Sequence, residues 1–200
     1  MSVHTIEFFW DPASPFTYLA ATQIEALAAE CGAELRWKPF LLGKVFEATG
    51  NRPPVSVPAK GKHLFQDLAR WAKFYGVPLQ FPKSFPVNSV QPERAAIAAD
   101  KAGKGVAFAK AVMSAHWADG RDISQADELK AIAASVGLDG EAIIAATQDP
   151  AIKEILKANT EDAIKRGVFG APTFFVGAEM FWGNDRLQLL GAHLKGKLAA

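Results

Sequence analysis

The stretch from Ile6 to Ala20, IEFFWDPASPFTYLA, constrains the fold more than any other part of the chain. Ile6 to Trp10 is apolar almost throughout, the pattern of a strand buried on both faces. Asp-Pro-Ala-Ser-Pro follows at once, and an amphipathic run then places Phe16, Leu19, Ala20, Ile24, Leu27, Ala28 and Cys31 at helical spacing. That spacing predicts one continuous helical stripe. Pro15 suits the first helical position, Ser14 the N-cap and Gly32 the stop. AELRWKPF then alternates Leu35 and Trp37 with Arg36 and Lys38, a second strand. A right-handed crossover between the two makes them parallel.

The middle of the chain reads differently. LLGKVFEATGNRPPVSVPAK is expected to be a loop, LFQDLARWAKFYG a helix, and PLQFPKSFPVNS a second Pro-punctuated loop. Helical patterns then fill 92–102, 105–117, 125–136, 139–147 and 150–166, with Ser124 and Asp127 spaced as a capping box opening the third. APTFFVG and EMFWG, separated by Gly177 and Ala178, read as a hairpin. A terminal helix from Asn184 carries Leu187, Leu190 and Leu194 on one face.

The order is therefore βαβ, a helical block, then ββα. This is the α/β thioredoxin-like layout with an all-helical insertion, with residues 1–50 and 160–200 forming the thioredoxin-like domain and 51–159 the insertion. In that layout the reactive residue sits at the first strand–helix junction, where Ser14 lies, and a cis-proline faces it; Pro172 of GAPTFF is at the expected place.

Composition closes several alternatives. The 22 basic and 21 acidic residues nearly cancel, so no electrostatic footprint for nucleic acid or an anionic membrane surface exists. A single cysteine, Cys31, permits no internal disulfide and no redox pair, and its place on the apolar stripe reads as a small buried hydrophobe. With no 18-residue apolar span and no signal-peptide pattern, a cytoplasmic location is expected. His4, His63, His116 and His193 are scattered, so no metal site is expected. Trp71 and Trp117 read as core residues, with a wall of an aromatic-accepting pocket as the alternative for Trp117.

Five blocks, FFWDPASPFTYLA, LGKVFEATGNRPP with PAK, DLARWAKFYGVPLQFPKSFPVNS, VFGAPTFFVG and MFWGNDRLQLL, span the chain in order. Together they resemble the 2-hydroxychromene-2-carboxylate isomerase family, glutathione-dependent enzymes related to kappa-class glutathione transferases and DsbA-like oxidoreductases. The resemblance implies that the chain isomerises 2-hydroxychromene-2-carboxylate to trans-o-hydroxybenzylidenepyruvate in the breakdown of naphthalene-type hydrocarbons. Glutathione would act as cofactor by reversible thiolate addition. It also implies a homodimer and a small anionic aromatic substrate, with no nucleic-acid or membrane partner. A kappa-like transferase conjugating small electrophiles, an isomerase of another conjugated keto acid, or a glutathione- or peptide-binding domain without chemistry would use the same residues.

The candidate residues have plain readings beside these. Ser14 alone is an N-cap contributing about 1 kcal/mol. Under the resemblance its hydroxyl also donates to the glutathione thiolate, a charged hydrogen bond of about 1.5–3 kcal/mol, enough to lower a thiol pKa by about one to two pH units. Ala171 and Pro172 would bind the cysteinyl backbone of glutathione. Trp182, Gly183, Asn184 and Asp185 would hold its γ-glutamyl end, with backbone N–H groups at a helix start receiving a carboxylate. Asn51 and Arg52 match the family's substrate-facing pair; Lys44, Lys60 and Asn88 are further candidates, each otherwise an ordinary solvated loop residue.

Overall fold

A computed structural model describes residues 4–198. Strands β1 (Thr5–Trp10), β2 (Glu34–Pro39), β3 (Thr173–Val176) and β4 (Glu179–Trp182) form one sheet in the order β2-β1-β3-β4. β1 runs parallel to β2, with Thr5 opposite Glu34; β3 is antiparallel to both β1 and β4, with Phe9 opposite Thr173. The largely apolar run of β1, interrupted at Glu7, follows from its central place. Ile6, Phe8 and Trp10 face one core, while Phe9 faces a second. Phe174 stacks on Phe8 with centroids 5.0 Å apart, and Phe175 meets Phe9 edge-on at 5.7 Å. Burying each such ring contributes about 1.5–3 kcal/mol, so the register of β1 and β3 is fixed by both cores.

Helices cover both faces: α1 (Pro15–Ala21), α2 (Ile24–Glu30), α3 (Leu42–Thr49), α4 (Pro58–Tyr75), α5 (Val90–Lys101), α6 (Gly105–Trp117), α7 (Ala126–Ser135), α8 (Gly140–Ala146), α9 (Pro150–Lys165) and α10 (Leu187–Leu194). Val45 of α3 and Ala163 of α9 close over Phe9, Phe40 and Phe175. α1, α2, α10 and the helical block share the larger core. Both expected halves, βαβ and ββα, are present, with helices between them. Among the described residues no helix is long and apolar enough to cross a membrane.

The structure departs from the sequence reading in four places. The stripe from Phe16 to Cys31 is two helices, because the Thr22 hydroxyl donates to the Leu19 carbonyl (2.7 Å) and Gln23 N–H reaches back only to Ala20. Ile24, Leu27 and Ala28 resume the same face, which is why the break leaves the pattern intact. Residues 41–60 are not all loop: they contain α3, a 3₁₀ turn at Pro54–Ser56 and the start of α4. Ser124 makes no capping box; it donates to Asp122 (2.7 Å), and α7 opens one residue after Gln125 without a side-chain cap. The terminal α-helix begins at Leu187, after a 3₁₀ turn over Asn184–Arg186. α9 is one continuous rod that packs against α3, α5 and β2.

Candidate active site

The turn joining β1 to α1 is held by its own aspartate. Asp11 Oδ1 accepts the Ala13 N–H at 2.8 Å, and the Asp11 carbonyl accepts the Ser14 N–H at 3.1 Å. Pro12 and Pro15 fix φ on either side. Ser14 takes an extended conformation (φ −95°, ψ 119°) and caps α1, its Oγ accepting the Thr17 N–H at 3.3 Å. Behind the turn, the fully buried Trp117 donates its Nε1–H to the Pro12 carbonyl at 2.7 Å. Trp117 is thus core, and it braces the turn as well.

Opposite lies the segment entering β3. The Ala171–Pro172 peptide is cis, and the Ser14 hydroxyl donates to the Ala171 carbonyl at 3.0 Å. The carbonyl before Pro172 is therefore taken by the serine. Gly183 N–H donates to the Pro172 carbonyl at 3.0 Å, which brings the 182–185 segment alongside. Gly183 has φ 106°, a left-handed conformation that favours glycine, and the Asp185 carboxylate folds over the space a Cβ would need. Gly170 is bare for a similar reason: the Trp182 indole rests on it and lies tilted against Phe169, with ring centroids 4.7 Å apart. Asn184 is only 3% exposed, and its Nδ2 has no acceptor in the protein. Its carbonyl accepts the Tyr75 hydroxyl at 3.3 Å.

The remaining candidates divide. Asn51 joins the site, donating to the Phe169 carbonyl at 2.7 Å and accepting the Arg52 N–H at 2.8 Å. The Arg52 side chain stands exposed beside it. Lys60 lines a cavity of about 470 Å³ with Phe16, Pro54, His63, Leu64 and Asp67, a volume in the range of small-molecule pockets. Phe16, two residues beyond Ser14, joins that cavity to the turn. Lys44 instead pairs with Glu47 on the exposed side of α3 (2.8 Å), and Asn88 accepts the Val90 N–H (3.0 Å) at the start of α5. Asp185 ion-pairs with Arg186.

Sequence reasoning missed what lies under the turn. Asp11 is buried, and its Oδ2 accepts the Leu42 N–H at 2.9 Å and the Ser89 hydroxyl at 3.1 Å. Glu93, fully buried on α5, lies against it. Burial raises the Asp11 carboxyl, against the pull of its donors, and raises Glu93 well above the ordinary range, with the Asp11 charge adding to the effect. The Asp-Pro pair of DPASP signals an Asx turn. Nothing local marks Ser89 or Glu93.

Chemically, the site presents one hydroxyl, a cluster of backbone groups and an unpartnered amide, beside a largely apolar cavity. Cys31 lies at the C-terminal end of α2 and not in the turn. With no thiol at the junction, disulfide exchange cannot be the chain's own chemistry.

The DSBA-like thioredoxin domain model matches residues 5–195. A 2-hydroxychromene-2-carboxylate isomerase of Sphingobium xenophagum is 39% identical over 95% of this chain and 97% of its own length. The chain belongs to the 2-hydroxychromene-2-carboxylate isomerase family, within the DSBA-like thioredoxin domains. A solved structure of a 2-hydroxychromene-2-carboxylate isomerase superposes with a TM-score of 0.88 at 31% identity, covering 96% of this chain and 95% of that one. Human glutathione S-transferase kappa 1 is 28% identical over 96% of this chain and 91% of its own length. Within the isomerase family, then, this member carries Ala13-Ser14 at the junction and cis-Pro172 across from it.

Proposed function

We propose that the protein is a glutathione-dependent isomerase that converts 2-hydroxychromene-2-carboxylate to trans-o-hydroxybenzylidenepyruvate in aromatic-hydrocarbon breakdown. One observation carries the reading: the Ser14 hydroxyl, on a turn without a thiol, meets the peptide preceding Pro172. The name borne by the relative at 39% identity supports the substrate.

The residues fit glutathione. Asn184 supplies a buried amide donor with no protein acceptor, next to Gly183 and Pro172. In this reading Ser14, Ala171, Pro172, Trp182, Gly183, Asn184 and Asp185 hold the tripeptide. Bound glutathione supplies a nucleophilic sulfur that adds reversibly to the conjugated substrate and leaves unconsumed. The Ser14 hydroxyl has one proton to give. Turning it from the Ala171 carbonyl to a charged sulfur exchanges a neutral hydrogen bond of about 0.5–1.5 kcal/mol for a charge-assisted one of about 1.5–3 kcal/mol, so the exchange is favourable. It also frees the Ala171 carbonyl to accept a backbone N–H of the tripeptide. Phe16 and Leu64 line the apolar wall for the aromatic ring and Lys60 offers a donor to its carboxylate, while Arg52 and Asn51, on the loop that Asn51 ties to the Phe169 carbonyl, offer donors to its oxygens. Lys44 and Asn88, engaged elsewhere, are weaker substrate candidates.

The test is turnover of 2-hydroxychromene-2-carboxylate with and without glutathione, followed by absorbance. Turnover that requires glutathione, with the thiol recovered intact, is expected. The second reading, a kappa-like transferase, draws on the 28% identity to human glutathione S-transferase kappa 1. Faster conjugation of a chlorodinitrobenzene than isomerisation of the chromene would establish that reading instead.

A further inference from the structure

Two carboxyl groups lie buried in contact beneath the Ser14 turn, and their hydrogen bonds do not balance unless one keeps a proton. Asp11 accepts three donors: the N–H of Ala13 and Leu42, and the hydroxyl of Ser89. A group so surrounded by donors is satisfied as a carboxylate. Glu93 is 0% exposed, and neither of its oxygens meets a donor in the protein. The group that lies against it is the Asp11 carboxyl itself. Two carboxylates in contact have no hydrogen between them and repel, whereas a carboxylic acid donates to a carboxylate in a short, strong bond. No cation pairs with either group among the described residues, so a proton on Glu93 is the remaining way to satisfy both.

The three donors of Asp11 come from separate elements: its own turn, the first residue of α3 and the residue before α5. α3 has no side-chain cap of its own, so Asp11 supplies one from 31 residues away. Glu93 enters from the first turn of α5. The pair thus ties the start of α3, the start of α5 and the turn that presents Ser14 to a single point.

We propose that Glu93 is a positioning residue: as a neutral acid donating to the Asp11 carboxylate, it holds the Asp11–Ser14 turn in the conformation that aims the serine hydroxyl across at the Ala171 peptide. Its functional part rests on Ser14 serving the reaction proposed above. Burial and the adjacent charge both favour the proton on Glu93, in agreement with the hydrogen-bond balance.

The experiment has two arms on the purified, full-length protein. Infrared spectroscopy of the wild type at neutral pH is expected to show the carbonyl stretch of a protonated, buried carboxylic acid, absent in Glu93→Gln. This arm needs no ligand and is independent of the proposed activity. In the second arm, kcat and KM are measured for wild type, Glu93→Gln and Glu93→Leu. Glu93→Gln keeps an N–H donor for Asp11 and should retain kcat within about threefold. Glu93→Leu removes the donor and should lower kcat about 10- to 100-fold with little change in KM, the size expected for a displaced catalytic group. Absence of the infrared band overturns the proposal even if Glu93→Leu fails to fold. So does a Glu93→Leu enzyme with wild-type kcat. A wild type that shows the band but no glutathione-dependent turnover keeps the buried acid and overturns both the proposed function and the positioning role.

Discussion

The Ser14 hydroxyl donates to the Ala171 carbonyl at 3.0 Å, joining two turns that lie 157 residues apart in the chain. Each turn hangs from the end of a central strand, and the two strands are hydrogen-bonded neighbours. The bond is therefore a property of the sheet as much as of the serine.

Replacing Ser14 tests that relationship directly. Ser14→Ala should lower turnover about 10- to 100-fold, corresponding to a charge-assisted hydrogen bond of about 1.5–3 kcal/mol, while glutathione affinity changes little. The lost cap should cost about 1 kcal/mol of stability. Isothermal titration with glutathione, steady-state kinetics and a melting curve separate the three effects. Undiminished turnover would remove Ser14 from the mechanism.

Lys60 and Lys44 make a matched pair of controls. Lys60 lines the cavity that opens beside Phe16, whereas Lys44 is occupied by Glu47 on a solvent face. Lys60→Met should raise KM for the chromene carboxylate about 5- to 10-fold, roughly 1–1.4 kcal/mol at this partly solvated position, with kcat nearly unchanged. Lys44→Met should alter neither. Equal effects from both would locate the substrate elsewhere.

Asn51 links the loop after α3 to the Phe169 carbonyl, two residues before Ala171. Asn51→Ala should cost no more than about 1 kcal/mol in stability, since the bond is exposed. Its effect on kcat/KM should be larger, about tenfold, because it loosens one wall of the site. The comparison is between the shift in melting temperature and the ratio of kcat/KM values; a variant that loses stability but no activity contradicts the assignment.

On the far face of the sheet, Glu7 receives Arg166 at 2.7 Å and Lys38 at 3.0 Å, and Lys38 also meets Asp162 at 2.7 Å. Burial alone would raise Glu7, but the hydrogen bonds from Arg166 and Lys38 outweigh it and hold the carboxyl below its ordinary value; Asp162 behaves alike. A carboxyl lowered on folding stabilises the protein above its unfolded value, about 4, and that contribution is lost as the pH falls through the lower, folded value. The Glu7 contribution, read as the gap in melting temperature between wild type and Glu7→Gln, should therefore hold between pH 7 and about 5 and shrink below about 4. Glu7→Gln should melt lower at neutral pH and decline less steeply in acid. Parallel curves for the two proteins would show that Glu7 contributes nothing to the acid limb.

What could be read in the sequence followed from how local each signal is. Ser14 between two prolines, and Pro172 at the head of an apolar strand, carry their conformations in their own residue types. β1 announced its central position through a run that is apolar except at Glu7. α3 was not legible because the group that caps it, Asp11, lies beyond β2 in the chain, and no residue near Leu42 records the debt. The break between α1 and α2 was hidden because the apolar stripe resumes in phase after Thr22. The pairing of Asp185 with the adjacent Arg186 is likewise not marked by either residue type. Glu93 was the least visible of all: a buried acid is written in the sequence like an exposed one, and only its contact with Asp11 distinguishes it.

The pairing of Phe9 with Thr173 has a consequence for how this protein can change. Ser14 lies five positions beyond one partner of that pair and Pro172 one position before the other, so the strands act as a ruler that sets the gap between hydroxyl and carbonyl. A residue inserted within 10–14 or 169–173 shifts one jaw against the other by a full step of about 3.3 Å, while leaving both cores of the sheet to form. The segment from Gly76 to Asn88, which belongs to no strand, escapes that constraint. Length variation among working descendants of this chain should therefore accumulate in the latter segment and be purged from the two short turns, whatever residues those turns come to carry.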